Sequence, residues 1–514
     1  MNRAAAGADE VPAKHPWLLL LTMMLTTVMV ALDSTIANVV LPHMQGSLAV
    51  AQDQIAWVLT SYIVATAIFI PPTGYLAARL GRRRMLAGCV AGFLAASMLC
   101  GTATSLPQMV AYRFLQGAFG AGMAPLGQAL VMDSFPREKH GQVLSLWGVG
   151  AMLGPILGPT LGGYLTEALN WRWVFYINVP ICAVALLGVW KTVPQVRTRG
   201  AVPFDLFGFG LLSLALGSAQ LMLDRGHSLN WFSSTEIIVE ATVAGLCFYL
   251  FLVHMFTARA PFVEPRLFGD RNLVVGLLLI AVVSMVMMAQ MALLPSFLQQ
   301  LMHIPVDTVG MMLMPRGLAS MIGMVLTARL IGRIDQRAMM VGGMVGFGLS
   351  TYELSTINLY VDNFTIVRIG LMQGFSMAFV VSPLSIAAFS TLAPELRTES
   401  ASMFALMRSL GGSIGVSVLF TRVAQLTQTE HARLGENITA FSDPALLPPA
   451  WDWGSTVGAM ALDGEIVRQA ASIAYVDTFL LMATLALLAA PWCLLFRHPA
   501  GHAGTQPLGS LAAE

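Results

Sequence analysis

Residues 17–41 read Trp17-Leu-Leu-Leu-Leu-Thr22-Met-Met-Leu-Thr-Thr-Val-Met-Val-Ala-Leu32-Asp33-Ser-Thr-Ile-Ala-Asn38-Val-Val-Leu41, an apolar run interrupted by one carboxylate. As a helix this run crosses the ~30 Å hydrocarbon core of a bilayer. It is too long for a signal-peptide core and no small-residue cleavage site follows it, so it reads as a first membrane span near the start of the mature chain. Comparable blocks recur near 53–78, 84–104, 107–131, 141–166, 173–192, 204–223, 235–257, 272–300, 306–331, 338–358, 363–391, 399–422 and 472–496. The 514 residues are 56% hydrophobic and 11% charged, where soluble domains carry roughly a quarter charged. A soluble globular protein is excluded, and an all-α polytopic membrane protein of about fourteen spans is expected.

Net charge is +1, which supplies no bulk attraction for nucleic acid. Cys89, Cys100, Cys182, Cys247 and Cys493 lie in or beside apolar runs without CxxC spacing, as small buried hydrophobes do. The arginines set the orientation, because short basic loops stay in the cytoplasm. Arg79/Arg82/Arg83/Arg84, Arg137 with Lys139, Lys191/Arg197/Arg199, Arg259/Arg266/Arg271 and Arg329/Arg333/Arg337 fall in alternate loops. With both termini inside, about nineteen of the 28 basic residues lie inside and about five outside. Residues 1–16 and 497–514 are then cytoplasmic tails. The division expected is a six-helix bundle over 17–192, an inserted helix pair over 204–257, and a second six-helix bundle over 271–496. The long polar stretch near 423–471, with Pro444, Pro448, Pro449, Trp451 and Trp453, lies outside as a linker or a partner-docking loop.

Asp33 is sunk in the first span, and Arg113 lies in the fourth. At 1.5 Å per residue they sit roughly 13 Å and roughly 9 Å below the same surface, close enough in depth to pair if their helices are neighbours. A carboxylate there costs several kcal/mol unless protonated, paired or wetted. Burial disfavours its charged form and a guanidinium favours it, so separating the two changes its affinity for a proton. The same pair also serves as a static clamp between helices, and the residues alone leave both readings open. Arg316, Arg368 and Arg408 are further arginines within spans, with no acidic residue at comparable depth in spans ten, twelve or thirteen. Asn38, Gln116, Gln128, Arg316, Gln373 and Arg408 are the polar candidates for a substrate cavity, with Arg316 suited to anionic or zwitterionic groups. Clusters at Met285, Met287, Met288 and Met291, and at Met311, Met312 and Met314, suit a cavity adapting to several apolar ligands, or simply face lipid and core.

The fifth span holds Gly150-x-x-x-Gly154-Pro155-x-x-Gly158-Pro159-x-x-Gly162-Gly163. Glycines every fourth residue let another helix approach, and the prolines remove backbone donors. A weak internal echo links Arg113-x-x-Gln116-Gly117 to Arg368-x-x-x-x-Gln373-Gly374. No nucleotide-binding G-x-x-x-x-G-K-[ST] loop, HExxH pair or GxSxG elbow occurs. Neither an enzyme nor a bound cofactor is expected, and an ion gradient is the remaining energy source: one charge crossing 100 mV is worth about 2.3 kcal/mol.

Asp33-Ser-Thr-Ile-Ala-Asn38-Val-Val-Leu-Pro42 resembles the first-span signature of the fourteen-span drug:proton antiporters of the major facilitator superfamily. Gly74-Tyr-Leu-Ala-Ala-Arg79-Leu-Gly81-Arg82-Arg resembles the superfamily's loop 2–3 motif. Arg113 with Gln116-Gly117 is similar to its span-four motif, and Gly150 to Gly163 to its antiporter motif. Trp171-Arg-Trp173-Val-Phe175-Tyr-Ile-Asn178-Val-Pro180 is similar to the fourteen-span subfamily's mark. Leu221-Met-Leu-Asp224-Arg225-Gly, Trp231-Phe-Ser-Ser234 and Arg408-x-x-Gly411-Gly-Ser413-Ile-Gly415 resemble the EmrB branch. The resemblance implies two six-helix bundles with two inserted helices, and multidrug export by alternating access from the bacterial inner membrane. It implies proton coupling through Asp33 and Arg113, an EmrA-like periplasmic adaptor and a TolC-type outer-membrane channel. The loop motif departs from the pattern at Ala78, where an Asp is usual, and at His140, where Arg is common; Asp133 is the candidate to compensate Arg79 or Arg82. An exporter of one endogenous metabolite or siderophore, and an uncoupled facilitator or membrane sensor, are the alternatives.

Overall fold

The structure is a computed structural model that describes residues 15–50, 52–136, 139–195, 204–226, 228–258, 261, 263–331, 333–392, 396–436, 451 and 455–497. Arg137, Arg197, Arg199, Arg259, Pro444, Pro448, Pro449, Trp453 and most of both tails lie outside the described residues, as do the side chains of Pro155 and Pro159. The first bundle begins with α1 (Pro16–Leu48), whose leading proline occupies a position where a missing N–H costs nothing. The helix runs past Pro42 and stops at Ala49 in a left-handed cap (φ 53°). The second span is broken rather than straight: α2 (Gln52–Ile55), α3 (Trp57–Phe69) and α4 (Thr73–Leu80), with α3 and α4 bent by 60° across Pro71-Pro72. Gly81 (φ 85°) turns the chain into α5 (Arg82–Thr102). The fourth span is α6 (Leu106–Gly120) and α7 (Met123–Ser134), α8 (His140–Ala168) is continuous, and α9 (Trp173–Tyr176) with α10 (Asn178–Thr192) makes the sixth.

The inserted pair is α11 (Leu206–Arg225) and α12 (Thr235–Thr257). The second bundle comprises α13 (Arg271–Ser296), extended by a π-turn at Phe297–Leu301, then α14 (Val306–Leu330), α15 (Gln336–Leu354), α16 (Asn363–Phe389), α17 (Arg397–Gly435) and α18 (Thr456–Ala489). Aspartates open several of these helices: Asp205 caps the Gly208 N–H (2.8 Å), Asp270 that of Leu273 (2.9 Å) and Asp335 that of Arg337 (2.9 Å). Among the described residues ten helices are long and apolar enough to cross a membrane, or eleven counting α3 with α4. The protein is therefore an all-helical, multi-pass membrane protein. Fourteen spans are consistent with it when α3–α4, α6–α7 and α9–α10 each count as one.

One expectation needs correction. The stretch near 423–471 is not mainly a loop, because α17 continues to Gly435 and α18 already starts at Thr456. The two extensions support each other outside the apolar region, with His431 Nε2 2.8 Å from Asp463 Oδ1 across the hairpin. Polar composition there marks helix surface, not absence of helix.

Glycines set the closest helix approaches, and they do so twice. In the first bundle Gly154 and Gly158 of α8 lie on α1: a methyl on Gly154 would stand 2.5 Å from the Ala31 methyl, and one on Gly158 would overlap Thr35. In the second, Gly411 and Gly415 of α17 lie on α13 against the carbonyls of Ala281 and Met285. Likewise Gly117 of α6 presses on the Tyr62 carbonyl of α3, and Gly374 of α16 on the Arg316 carbonyl of α14. The sequence echo at Gln116-Gly117 and Gln373-Gly374 is thus a repeated packing device. A methyl on Gly150 would stand 3.1 Å from Met24, Gly162 is buried, and a methyl on Gly163 would meet nothing within 4 Å, so the stripe is tight only in its middle.

Direct bundle-to-bundle contacts gather at the end bearing the Arg82 loop. There Gly74 faces the Glu399 backbone, Gly141 faces Ile331 and Gly148 faces Met324, each so closely that an added methyl would stand at 3.1 Å or less from its neighbour. The inserted helix α11 lies between α3 and α17, donating from Gln220 to Ser413 (2.9 Å) and accepting from Ser417 at the Leu223 carbonyl.

Candidate functional site: a buried carboxylate cluster

Because α1 packs on α10 and α3 packs on α6, the mid-span polar side chains of several helices converge. Asp33 (1% exposed) accepts from Arg113 Nη1 at Oδ2 (2.7 Å), and at Oδ1 from Gln116 Nε2 (2.8 Å) and Asn178 Nδ2 (3.0 Å). Arg113 is fully buried; its Nη1 also donates to Gln116 Oε1 (2.7 Å) and its Nε to the Val58 carbonyl (3.3 Å). The guanidinium lies over the Tyr62 ring, 4.4 Å from its centroid, with Phe175 at 5.8 Å. Asn178 also donates to Ser97 Oγ (3.0 Å), whose hydroxyl donates to the Phe175 carbonyl (2.9 Å). Helices α1, α3, α5, α6, α9 and α10 thus all meet one charge pair. A buried pair of this kind holds helices together, and its cost changes sharply if either partner loses its charge.

Gln116 belongs to this cluster and does not line an open cavity. Asn178 is the member that reading the sequence misses as a site residue; it stands in the Trp171–Pro180 mark, but nothing in its spacing says that it reaches Asp33.

The second bundle repeats the scaffold without the acid. Matching Ala31 and Thr35 to Ala281 and Met285 through their glycine partners puts Val283 opposite Asp33. Gln373, the counterpart of Gln116, is fully buried with neither amide atom hydrogen-bonded. Arg316 donates to Gln290 Oε1 (3.4 Å), and Gln290 to Thr351 (3.2 Å). Among the described residues no carboxylate lies within 4.0 Å of Arg316 or Arg408, whereas Arg368 pairs with Glu353 (3.2 Å) near the surface. Asn38 is exposed and bonded to its own helix at the Ser34 carbonyl (3.4 Å), and Gln128 is buried on α7.

At the Arg82-loop end Asp133 pairs with Arg82 and with Arg397 (2.6 Å). One carboxylate therefore ties the first bundle to the start of α17 in the second. It takes Arg82 and not Arg79, which is exposed, and Arg397 is a partner that nothing in the sequence singles out.

This all-helical fold is that of a membrane transporter, and residues 23–416 match the model of the Major Facilitator Superfamily: the chain belongs to that family. Its relatives make the branch plain. It is 34% identical to the multidrug export protein EmrB of Escherichia coli K12 over 85% of this chain and 86% of that one. It is also 34% identical to the fatty acid resistance protein FarB of Neisseria gonorrhoeae, over 82% and 83%. Among solved structures, the proton:xylose symporter XylE superposes with a TM-score of 0.62 at 13% identity, over 93% of this chain and 94% of that one. The human organic anion transporter MFSD10 gives 0.61 at 16% identity, over 92% and 99%.

Proposed function

We propose that the chain is a proton-coupled exporter of amphipathic toxic compounds, a multidrug:proton antiporter seated in the bacterial inner membrane with both termini in the cytoplasm. The observation that carries this reading is the Asp33–Arg113 pair, sealed by Gln116 and Asn178 where six helices meet. When rocking of the bundles parts the pair, a proton takes the guanidinium's place beside the Asp33 carboxylate. Carrying that proton down the gradient supplies about 2.3 kcal/mol per 100 mV and requires no cofactor. The Arg82–Asp133–Arg397 contact then acts as the cytoplasmic latch, holding the inner end shut until substrate and proton exchange. Arg316 and Arg408, without a carboxylate partner among the described residues, and the unbonded Gln373 give the second bundle the groups to meet the polar end of a substrate.

The names of the relatives support this class, and by the same resemblance an EmrA-like periplasmic adaptor and a TolC-type channel complete the export path. The test is reconstitution into vesicles holding a pH-sensitive dye, with an imposed pH gradient. Adding a panel of amphipathic compounds should discharge the gradient through the wild-type chain; a protein that moves compounds without moving protons would be a facilitator.

A further inference from the structure

At the Arg82-loop end a cavity of about 470 Å³ opens between the bundles. Among the described residues its charged wall holds Arg333, Arg337, Arg397 and Arg497 against one acid, Asp335. Arg397 is committed to Asp133. Among the described residues no carboxylate lies within 4.0 Å of the guanidinium of Arg333, Arg337 or Arg497. Their backbones are nevertheless fixed. The Arg337 N–H is held by Asp335 (2.9 Å); the Arg497 N–H donates to buried Asn272 (2.8 Å), whose amide donates back to the Arg497 carbonyl (3.0 Å). Arg333 and Arg497, both exposed, and the half-buried Arg337 line the same concavity, so an anion seated there is met by several guanidinium groups at once. The remaining wall mixes His140, Gln336 and Ser390 with an apolar flank, Met132 and Leu144 from the first bundle and Met340, Ile386 and Phe496 from the second.

We propose that this cavity binds a phosphate-bearing ligand, with a guanidinium fork on the phosphate oxygens and an apolar flank for what the phosphate carries. An anionic lipid headgroup with its first methylenes has this shape and is available at the membrane boundary; a free phosphate compound shares the chemistry. Because both bundles form the walls, an occupant holds this end of the protein closed. The site is distinct from the Asp33 cluster and does not depend on proton coupling.

The test measures binding to the full chain in detergent, using dihexanoyl phosphatidic acid, dihexanoyl phosphatidylglycerol, dihexanoyl phosphatidylcholine and inorganic phosphate as probes. The two anionic lipids should bind more tightly than the zwitterionic one. At about fivefold per arginine, the double variant R333Q/R337Q should lose roughly twenty-five-fold of that binding, whereas R333K/R337K, which keeps both charges and loses the bidentate fork, should bind more weakly than wild type and more tightly than R333Q/R337Q. Competition by millimolar inorganic phosphate supports the site and assigns it to the phosphate alone; absence of competition with anionic-lipid binding intact supports it and assigns it to the whole headgroup. If the double variant does not fold, R497Q, which leaves the Asn272 backbone bonds in place, carries the same test with about fivefold weakening expected. Equal binding of anionic and zwitterionic lipid, or unchanged binding by a folded R333Q/R337Q or R497Q, overturns the proposal.

Discussion

Replacing Asp33 with Asn keeps the shape of the buried cluster and removes its charge. The substituted amide offers one oxygen where the carboxylate offered two. Facing that oxygen to Gln116 and Asn178 preserves the two bonds now made at 2.8 and 3.0 Å, but it turns the amide N–H₂ toward Arg113 Nη1, donor against donor. Turning it the other way loses both amide bonds instead. Either way Arg113 stays fully buried with its charge unmatched, and breaking such a pair from one side costs about 3–5 kcal/mol. Removing both charges should be far cheaper, since an apolar substitute for a buried pair is often neutral. The expected result is therefore strong non-additivity: Asp33→Asn alone destabilises by about 3–5 kcal/mol, and Asp33→Asn with Arg113→Met recovers most of it. Thermal and chemical unfolding in detergent read the stability, and the dye-loaded vesicles read proton movement, which both variants should lack. A single variant with wild-type stability and compound-driven proton flux would refute the reasoning for the pair as clamp and as coupling site together.

Asp133→Ala should loosen the end where the bundles meet, seen as longer distances between spin labels on α4 and α17, because it strands Arg82 and Arg397 at once. Gly154→Val and Gly415→Val should each lower stability by at least about 1–3 kcal/mol through overpacking, while Gly163→Val, with nothing within 4 Å, should leave the unfolding midpoint unchanged. Arg368→Gln should shift stability by less than about 1 kcal/mol, since its partner Glu353 is a third exposed and Arg368 nearly half exposed; a larger loss in thermal unfolding would assign it a deeper role.

What is legible in the sequence follows the reach of each signal. Asp33 and Arg113 stand out because charge inside an apolar run is costly wherever the run packs; their depths permit a pair, and the contact itself comes from the packing of their helices. Gly154, Gly158, Gly411 and Gly415 are legible as a spacing, and their partners on α1 and α13 become known only from packing. Asn178 and Arg397 are not legible: each is ordinary in its own segment and acts only because distant elements bring it to an acid. Hydropathy draws span two as one block because it ignores direction, while Pro71-Pro72 forces the chain to turn. The hairpin beyond residue 422 reads as loop because its helices shed their apolar surface on leaving the bilayer, yet they keep their backbone hydrogen bonds and each other.

Helix α17 starts at the Asp133 latch and runs without a break to Gly435. At 1.5 Å per residue its 39 residues form a rod about 58 Å long. Pivoting such a lever by about 10° at its midpoint swings each tip by about 5 Å. If α17 moves as one rod, any release of the Asp133 contact at its base would be carried mechanically to the far tip of the hairpin.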